Sequence, residues 1–231
     1  MIYKTSQPRT YSLPLHDKNN KVPYHVRRLI CIGRNYAEHA KEMGHEPAEA
    51  PPFFFYKPLT ALCNASQPVE WTLPAYSHNV HYELEVSVAI GSQVTASSPE
   101  SAICGIGLAL DMTCRDIQQT CKAQGRPWET AKGFDFSAPC SALHSRSWQE
   151  INSLGKFSLL NNGKPVQQGT IKDMIWSIPE LLRQLSEFTE LDEGDLILTG
   201  TPAGVGQVQP GDQLRATFEG LACELAIDIK A

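Results

Sequence analysis

The stretch VHYELEVSVAI (80–90) decides how the fold is read. Tyr82, Leu84, Val86, Val88 and Ile90 leave one face, and His81, Glu83, Glu85 and Ser87 leave the other. Successive side chains of an extended chain point to opposite faces, so this period of two predicts a strand. A second stretch, CGIGLALDM (104–112), reads as a buried strand ending in the carboxylate of Asp111. Outward from these two, short apolar runs between prolines and glycines predict strands at 28–32, 53–56, 196–199, 213–218 and 222–229, the last pair flanking a Glu219-Gly220 turn. Helices are predicted over 35–43 and 115–124, and from the capping box Ser177-Ile178-Pro179-Glu180 through about Phe188. Residues 1–27 read as an irregular or weakly paired lead-in to one domain over 28–231. The expected class is α+β, β-rich with peripheral helices. Long helices do not alternate regularly with strands, which disfavours a doubly wound α/β sheet.

Composition narrows the function. The chain has 231 residues, 42% of them apolar and 19% charged, with 25 acidic and 20 basic residues and a net charge of −5. No Lys/Arg run stands out, so nucleic acid is not expected as a partner. Apolar stretches such as Ala102 to Met112 are too short and too interrupted to span a membrane. The N-terminal twenty residues lack a signal-peptide apolar block. Seven cysteines at scattered positions form no CxxC pair. A disulfide framework or structural zinc site is therefore not expected, and a cytoplasmic setting is. GTPAGVG (200–206) lacks the Gly-Lys-Ser/Thr end of a phosphate loop, and GIG (105–107) lies inside a strand, so nucleotide binding is rejected.

The candidate chemistry starts at the acidic strand. Glu83 and Glu85 are two apart and share a face. Two nearby carboxylates repel, and a divalent cation with a preference for oxygen ligands removes that conflict. On spacing alone a solvated polar face is the simpler reading. Asp111 shifts the balance towards a metal: it ends an apolar run, where a carboxylate is costly unless paired or bound to an ion. Its alternative is a cap for the helix beginning near Arg115. Asp116 lies nearer that helix start and suits the cap better.

GRNYAEHAKEM (33–43), HYELEVSVAIG (81–91), GLALDMTCRDIQ (107–118), WETAKGFD (128–135) and LTGTPAGVG (198–206) together resemble the fumarylacetoacetate hydrolase family. The likeness is to its small single-domain branch of acylpyruvate hydrolases and oxaloacetate decarboxylases or tautomerases. It implies a mixed β-roll core, a homodimer, and Mg²⁺ or Mn²⁺ held by Glu83, Glu85 and Asp111. It also implies a His39–Glu42 dyad and substrate-positioning residues Arg115, Gln118, Lys132 and Thr201, with Lys132 also catalytic.

The chemistry of these residue types agrees with such roles. His39 and Glu42 are three apart, so on a helix they share a face, and a carboxylate on one imidazole nitrogen makes the other a better base. A plain surface pair would look the same in sequence. Arg115 offers a two-pronged grip on a carboxylate, with Gln118 on the same face; a surface salt bridge with Asp116 or Glu129 is the alternative. Lys132 needs a strong anion beside it or else simple solvation. The Thr201 hydroxyl and its loop amides suit a carboxylate. Residues 35–50, polar and without a clear core face, read as a lid, within which His45 has no assigned role. The implied substrates are small 2-oxo acids with a second carbonyl or carboxyl at C4. The competing readings are a 2-hydroxyhepta-2,4-diene-1,7-dioate isomerase or decarboxylase, and a non-catalytic oxo-acid-binding protein.

Overall fold

The strand Leu84–Ile90 is buried at all seven positions. Leu84, Val86, Val88 and Ile90 enter the larger apolar core, while Ala89 enters a second one. The alternation seen in sequence therefore marks two covered faces rather than a wet and a dry one, and Glu85 and Ser87 are interior side chains. The computed structural model describes residues 10–42, 44 and 52–231.

Among these residues the architecture is sheet-rich and mixed, with few helices. Leu84–Ile90 pairs antiparallel with Ile103–Leu110 on one side and with Asp195–Leu198 on the other. Asp195–Leu198 runs parallel to Arg28–Gly33, which pairs with the edge strand Phe53–Lys57. In the other direction the sheet continues through Leu143–His144 to Ser12–Asp17 and Asn20–His25. Ala138–Cys140 and Leu62–Asn64 branch from this path. A five-stranded sheet stacks on it, built from Lys164–Gly169, Phe157–Asn161, Gln213–Phe218, Leu221–Lys230 and Val69–Thr72. Its Phe157, Leu159, Leu214, Leu225 and Ile227 join Val86, Ile106 and Leu108 in the larger core. The predicted 213–229 hairpin is present, with Leu214 opposite Ile227 and a register shift between Thr217 and Phe218 near the turn.

Three expectations are corrected. Residues 12–25 are a two-stranded hairpin, not an irregular lead-in: Leu13 and Tyr24 are buried, and Lys18 turns the chain with φ 52°. Pro14 faces Pro23 across the pair. Neither can donate to a ladder, and this hid the strands from a propensity reading. The Tyr24 hydroxyl donates to the Asp195 carbonyl (2.7 Å) and accepts from the Ile90 amide (3.1 Å), tying the hairpin to the central strands. Second, the strand expected over 80–90 is interrupted at Glu83 into Val80–Tyr82 and Leu84–Ile90. Third, Asp116 is not the helix cap. Cys114 occupies that position, and Asp116, inside the first turn, accepts from the Ile117 amide (2.8 Å), Ser77 Oγ (2.7 Å) and the His78 amide (2.9 Å). The capped helix is shorter than expected, Ile178–Leu185, leaving Phe188 exposed. All seven cysteines are free thiols. No described helix is long and apolar enough to cross a membrane.

Asp195 anchors the central strand from its buried end. Arg27 Nε and Nη2 donate to its two oxygens at 2.9 Å each, and Arg28 donates at 2.9 and 2.6 Å. Burial pushes this carboxyl up, but the arginine hydrogen bonds and the Asp192 amide outweigh it and hold it below its ordinary value of 3.8. Its contribution is therefore complete at neutral pH and fades as pH falls below that value. Asp195→Asn is expected to lower unfolding free energy by about 1–3 kcal/mol, since both arginines retain access to water. Urea denaturation at pH 7 measures the loss, and the gap to wild type should shrink in acid. Equal stabilities at pH 7 would remove Asp195 as an anchor.

Candidate active site

The interruption at Glu83 builds the site. Val80–Tyr82 leaves the large sheet and pairs instead with Thr113–Cys114 and Gly206–Gln207 in a small three-stranded sheet. Glu83 lies at this crossing on one strand and Asp111 on its antiparallel neighbour, where the Asp111 amide donates to the Glu83 carbonyl (2.8 Å). Glu85 follows on the buried face of Leu84–Ile90. One oxygen from each of Glu83, Glu85 and Asp111 lies within 4.8 Å of the others, and all three residues are buried.

Cations surround the acids. Lys132 Nζ, at the end of the short helix Glu129–Lys132, contacts Glu83 Oε2 (2.8 Å) and Asp111 Oδ2 (2.5 Å). Arg115 Nη2 pairs with Glu83 Oε1. Arg115 Nη1 donates to Gln118 Oε1 at 2.9 Å. The alternatives in which Arg115 pairs with Asp116 or Glu129 are thus displaced by a bond to the acidic cluster itself. Lys57, which the sequence reading passed over, is also buried here. Its ammonium lies 2.9 Å from Asp111 Oδ1, though this oxygen accepts no aligned hydrogen bond. It donates to Ser137 Oγ (2.9 Å) and to the Lys132 carbonyl. Its signal was available: Lys57 ends the apolar run FFFY just as Asp111 ends GLAL.

The acids do not share these partners equally. Burial pushes the Glu83 carboxyl up, yet Lys132 and Arg115 overcome this and hold it below the usual carboxylate range. Glu85 accepts the Gly200 amide (2.7 Å) but has no ion-pair partner among the described residues. Burial, then the charges of Asp111 and Glu83, raise its pKa well above normal. An oxygen donor set with one carboxylate short of positive charge fits a hard divalent cation. Among the described residues, the triad is the group that could hold one.

The catalytic candidates from the other motifs meet the same cleft, which opens to solvent. His39, Glu83, Glu85, Asp111, Arg115, Gln118, Lys132 and Thr201 all line it. Glu42 stands behind His39, its Oε2 3.2 Å from His39 Nδ1. A proton on Nδ1 shared with Glu42 leaves Nε2 as an acceptor. Gly204 supports the dyad by donating its amide to Glu42 (3.2 Å). Its φ of 94° and a would-be Cβ only 2.1 Å from the Val166 carbonyl require glycine there. Of the expected lid, residues 37–42 form a helix with His39 and Ala40 buried. Met43 and residues 45–51, which include His45, lie outside the described residues.

Gln167 was also missed. It is buried, comes from the five-stranded sheet and crosses to the site. Its Oε1 accepts the Leu84 amide (2.8 Å), and its Nε2 donates to Thr201 Oγ1 (2.8 Å) and the Pro202 carbonyl (2.9 Å). Nothing local in KPVQQG distinguishes it, because its partners come from remote segments.

This mixed scaffold, with a buried acid triad inside a ring of cations, defines a class of enzyme. Residues 28–226 match the fumarylacetoacetate (FAA) hydrolase C-terminal family, and the chain belongs to that family. It is similar to oxaloacetate tautomerase YcgM of Escherichia coli, 44% identical over 201 residues that cover 85% of this chain and 90% of that one. It is 41% identical to the mitochondrial oxaloacetate tautomerase FAHD1 of Bos taurus, over 84% of this chain and 88% of that one. Among solved structures it resembles fumarylpyruvate hydrolase from Pseudomonas aeruginosa in complex with Mn²⁺ and pyruvate. The TM-score is 0.89 at 38% identity, covering 96% of this chain and 97% of that chain.

Gln167→Leu would strand the Leu84 amide and weaken the hold on the Pro202 carbonyl in the interior. It is expected to cost about 1–3 kcal/mol in urea denaturation. A cost below about 0.5 kcal/mol, within the ordinary range for surface changes, would show that Gln167 is not the bridge it appears in the hydrogen-bond pattern.

Proposed function

We propose that this protein is a divalent-metal-dependent enzyme acting on small 2,4-dioxo acids: it hydrolyses the C3–C4 bond of acylpyruvates, tautomerises or decarboxylates oxaloacetate, or does both. The observation that carries this reading is the convergence of Glu83, Glu85 and Asp111 within 4.8 Å in a cleft that His39, Arg34, Arg115, Lys122 and Lys132 also line. Excess positive charge around an oxygen-ligand cluster suits an anionic chelating substrate. Glu83, Glu85 and Asp111 would hold the ion, which when bound supplies Lewis acidity towards a 2-oxo acid and stabilises enolate charge. Mg²⁺ and Mn²⁺ both accept such donors. The Mn²⁺ and pyruvate bound to the Pseudomonas relative support the choice.

In this reading Arg115, steadied by Gln118, grips the substrate carboxylate, and the Thr201 hydroxyl donates to it. Lys132 neutralises negative charge developing on the 2-oxo oxygen. In hydrolysis, His39 Nε2 takes a proton from water as its oxygen attacks the C4 carbonyl. The C3–C4 bond breaks, its electron pair stays with the pyruvate fragment, and His39 returns the proton to C3. Glu42 holds the imidazole orientation throughout. Decarboxylation of oxaloacetate needs only the final protonation, and tautomerisation needs only proton movement at C3. Residues 28–231 are the proposed catalytic unit and a homodimer the proposed assembly, both on the family resemblance, and a cytoplasmic setting is proposed from the scattered cysteines.

Turnover of acetylpyruvate and of keto and enol oxaloacetate should vanish on chelation and return with Mg²⁺ or Mn²⁺. Glu83→Gln is expected to weaken metal affinity about 10–100-fold and to abolish every activity. His39→Ala should retain metal affinity while acylpyruvate hydrolysis falls about 10²–10⁴-fold. Full metal-dependent turnover in Glu83→Gln would sink the ligand assignment, and unchanged hydrolysis in His39→Ala would exclude it as the base.

A further inference from the structure

The cleft holds more positive charge than the proposed reaction centre uses. Lys57, Lys132 and Arg115 are engaged by Glu83 and Asp111. Arg34 and Lys122 line the same cleft, and neither is paired with a carboxylate among the described residues. Each lies against an aromatic ring instead. Arg34 Cζ is 5.3 Å from the Phe53 ring centre, and Lys122 Nζ is 5.1 Å from that of Trp128. The two rings meet edge to face at 5.7 Å, so both cations stand on one aromatic wall.

The chain is shaped to build this wall. A Cβ on Gly33 would come within 2.1 Å of the Phe53 ring, so only glycine lets that ring lie against the backbone. Arg34, the next residue, sits in the left-handed region at φ 61°, which is costly for a residue with a Cβ. An outlier of this kind beside a cleft points to a positioned side chain. Lys122 follows Arg115 by seven residues and Gln118 by four on the helix Arg115–Ala123, so the three share one face. Burial, then the like charges of Arg115, Arg34 and Lys132, hold its ammonium below the usual lysine range. Glu83 acts in the opposite sense but is paired with Arg115 and Lys132, and cations crowded in this way favour an anion among them. A guanidinium resting on a ring keeps its N–H edges free for a carboxylate.

Resting on the function proposed above, we propose that Arg34 and Lys122 form a second anion subsite that binds a carboxylate at the far end of the substrate. They select 2,4-dioxo acids with two carboxylates over acylpyruvates that end in an alkyl group. Phe53 and Trp128 flank the carbon chain between the two ends. Arg34 and Lys122 thereby determine specificity, while Arg115 and Lys132 act at the 2-oxo acid head.

The test uses 2-oxoheptanedioate and 2-oxoheptanoate. They share the 2-oxo acid head, lack the 4-oxo group and so resist cleavage, and differ only in a terminal carboxylate against a methyl. Calorimetric titration of Mn²⁺-loaded wild type is expected to give a dissociation constant roughly tenfold or more lower for the diacid, as for a charge-assisted pair. Arg34→Gln and Lys122→Gln should each cut that ratio to about threefold, and the double variant should bring it near one. The ratio of kcat/KM for fumarylpyruvate over acetylpyruvate should fall in parallel, through KM. Because each variant is judged on a ratio, a general loss of folding or metal cancels. Equal affinity of wild type for the two probes, or variants that keep the wild-type ratio, would overturn the subsite while leaving the proposed function standing. Failure of wild type to bind either probe would overturn the proposed function and the subsite with it.

Discussion

The Lys132 ammonium between Glu83 and Asp111 is the contact on which the site depends. Carboxylates on buried strand ends are tolerated only when opposite charge stands beside them. Glu83, Glu85 and Asp111 meet Lys57, Lys132 and Arg115 in equal number, and Arg34 and Lys122 add the excess positive charge of the cleft. The pairing is uneven in space. Glu83 and Asp111 take the cations, and Glu85 is left with one backbone amide. Removing one partner of such a cluster strands a buried charge, so these residues constrain one another as a set.

The topology makes this cluster possible. Two neighbouring strands leave the large sheet at the same level, at Glu83 and Asp111, and enter the small sheet. At that crossing the ladder opens and the side chains turn towards a cleft rather than into packed hydrocarbon. The loop after Asp195–Leu198 closes the cleft from another side. It supplies the Gly200 amide to Glu85, Thr201 to the lining and the Gly204 amide to Glu42. The Arg27–Arg28–Asp195 network at the other end of the same strand anchors the segment that delivers this loop. Gln167 couples the five-stranded sheet to it, so both layers bear on the position of Thr201.

Much of this was legible in the chain. Period two over 80–90, the buried run ending in Asp111 and the capping box at Ser177 are local signals, and each corresponds to a described element. What failed has a physical reason. Prolines 14 and 23 masked the first hairpin, because propensity weighs a residue alone and these two sit opposite each other. Continuous alternation through Glu83 concealed a break that arises from a change of pairing partner. Asp116 looked like a cap because it lay close to the helix start; it does accept the Ile117 amide, but its other partners, Ser77 and His78, are nearly forty positions away.

By itself the sequence determined the kind of chemistry: where strands lie, which carboxylates share a face, that His39 can meet Glu42, and the family. The placements follow from the periodicity of strand and helix, which neighbouring residues impose on one another, and the family from the resemblance of five motifs in order. Only the tertiary structure decided that Glu85 is covered rather than solvated, that Arg115 and Lys132 reach the acids, and that Lys57 and Gln167 belong with them. It also decided which cations remain for a ligand. Burial and charge pairing are set by segments far apart in the chain, and no local pattern encodes the distance between them.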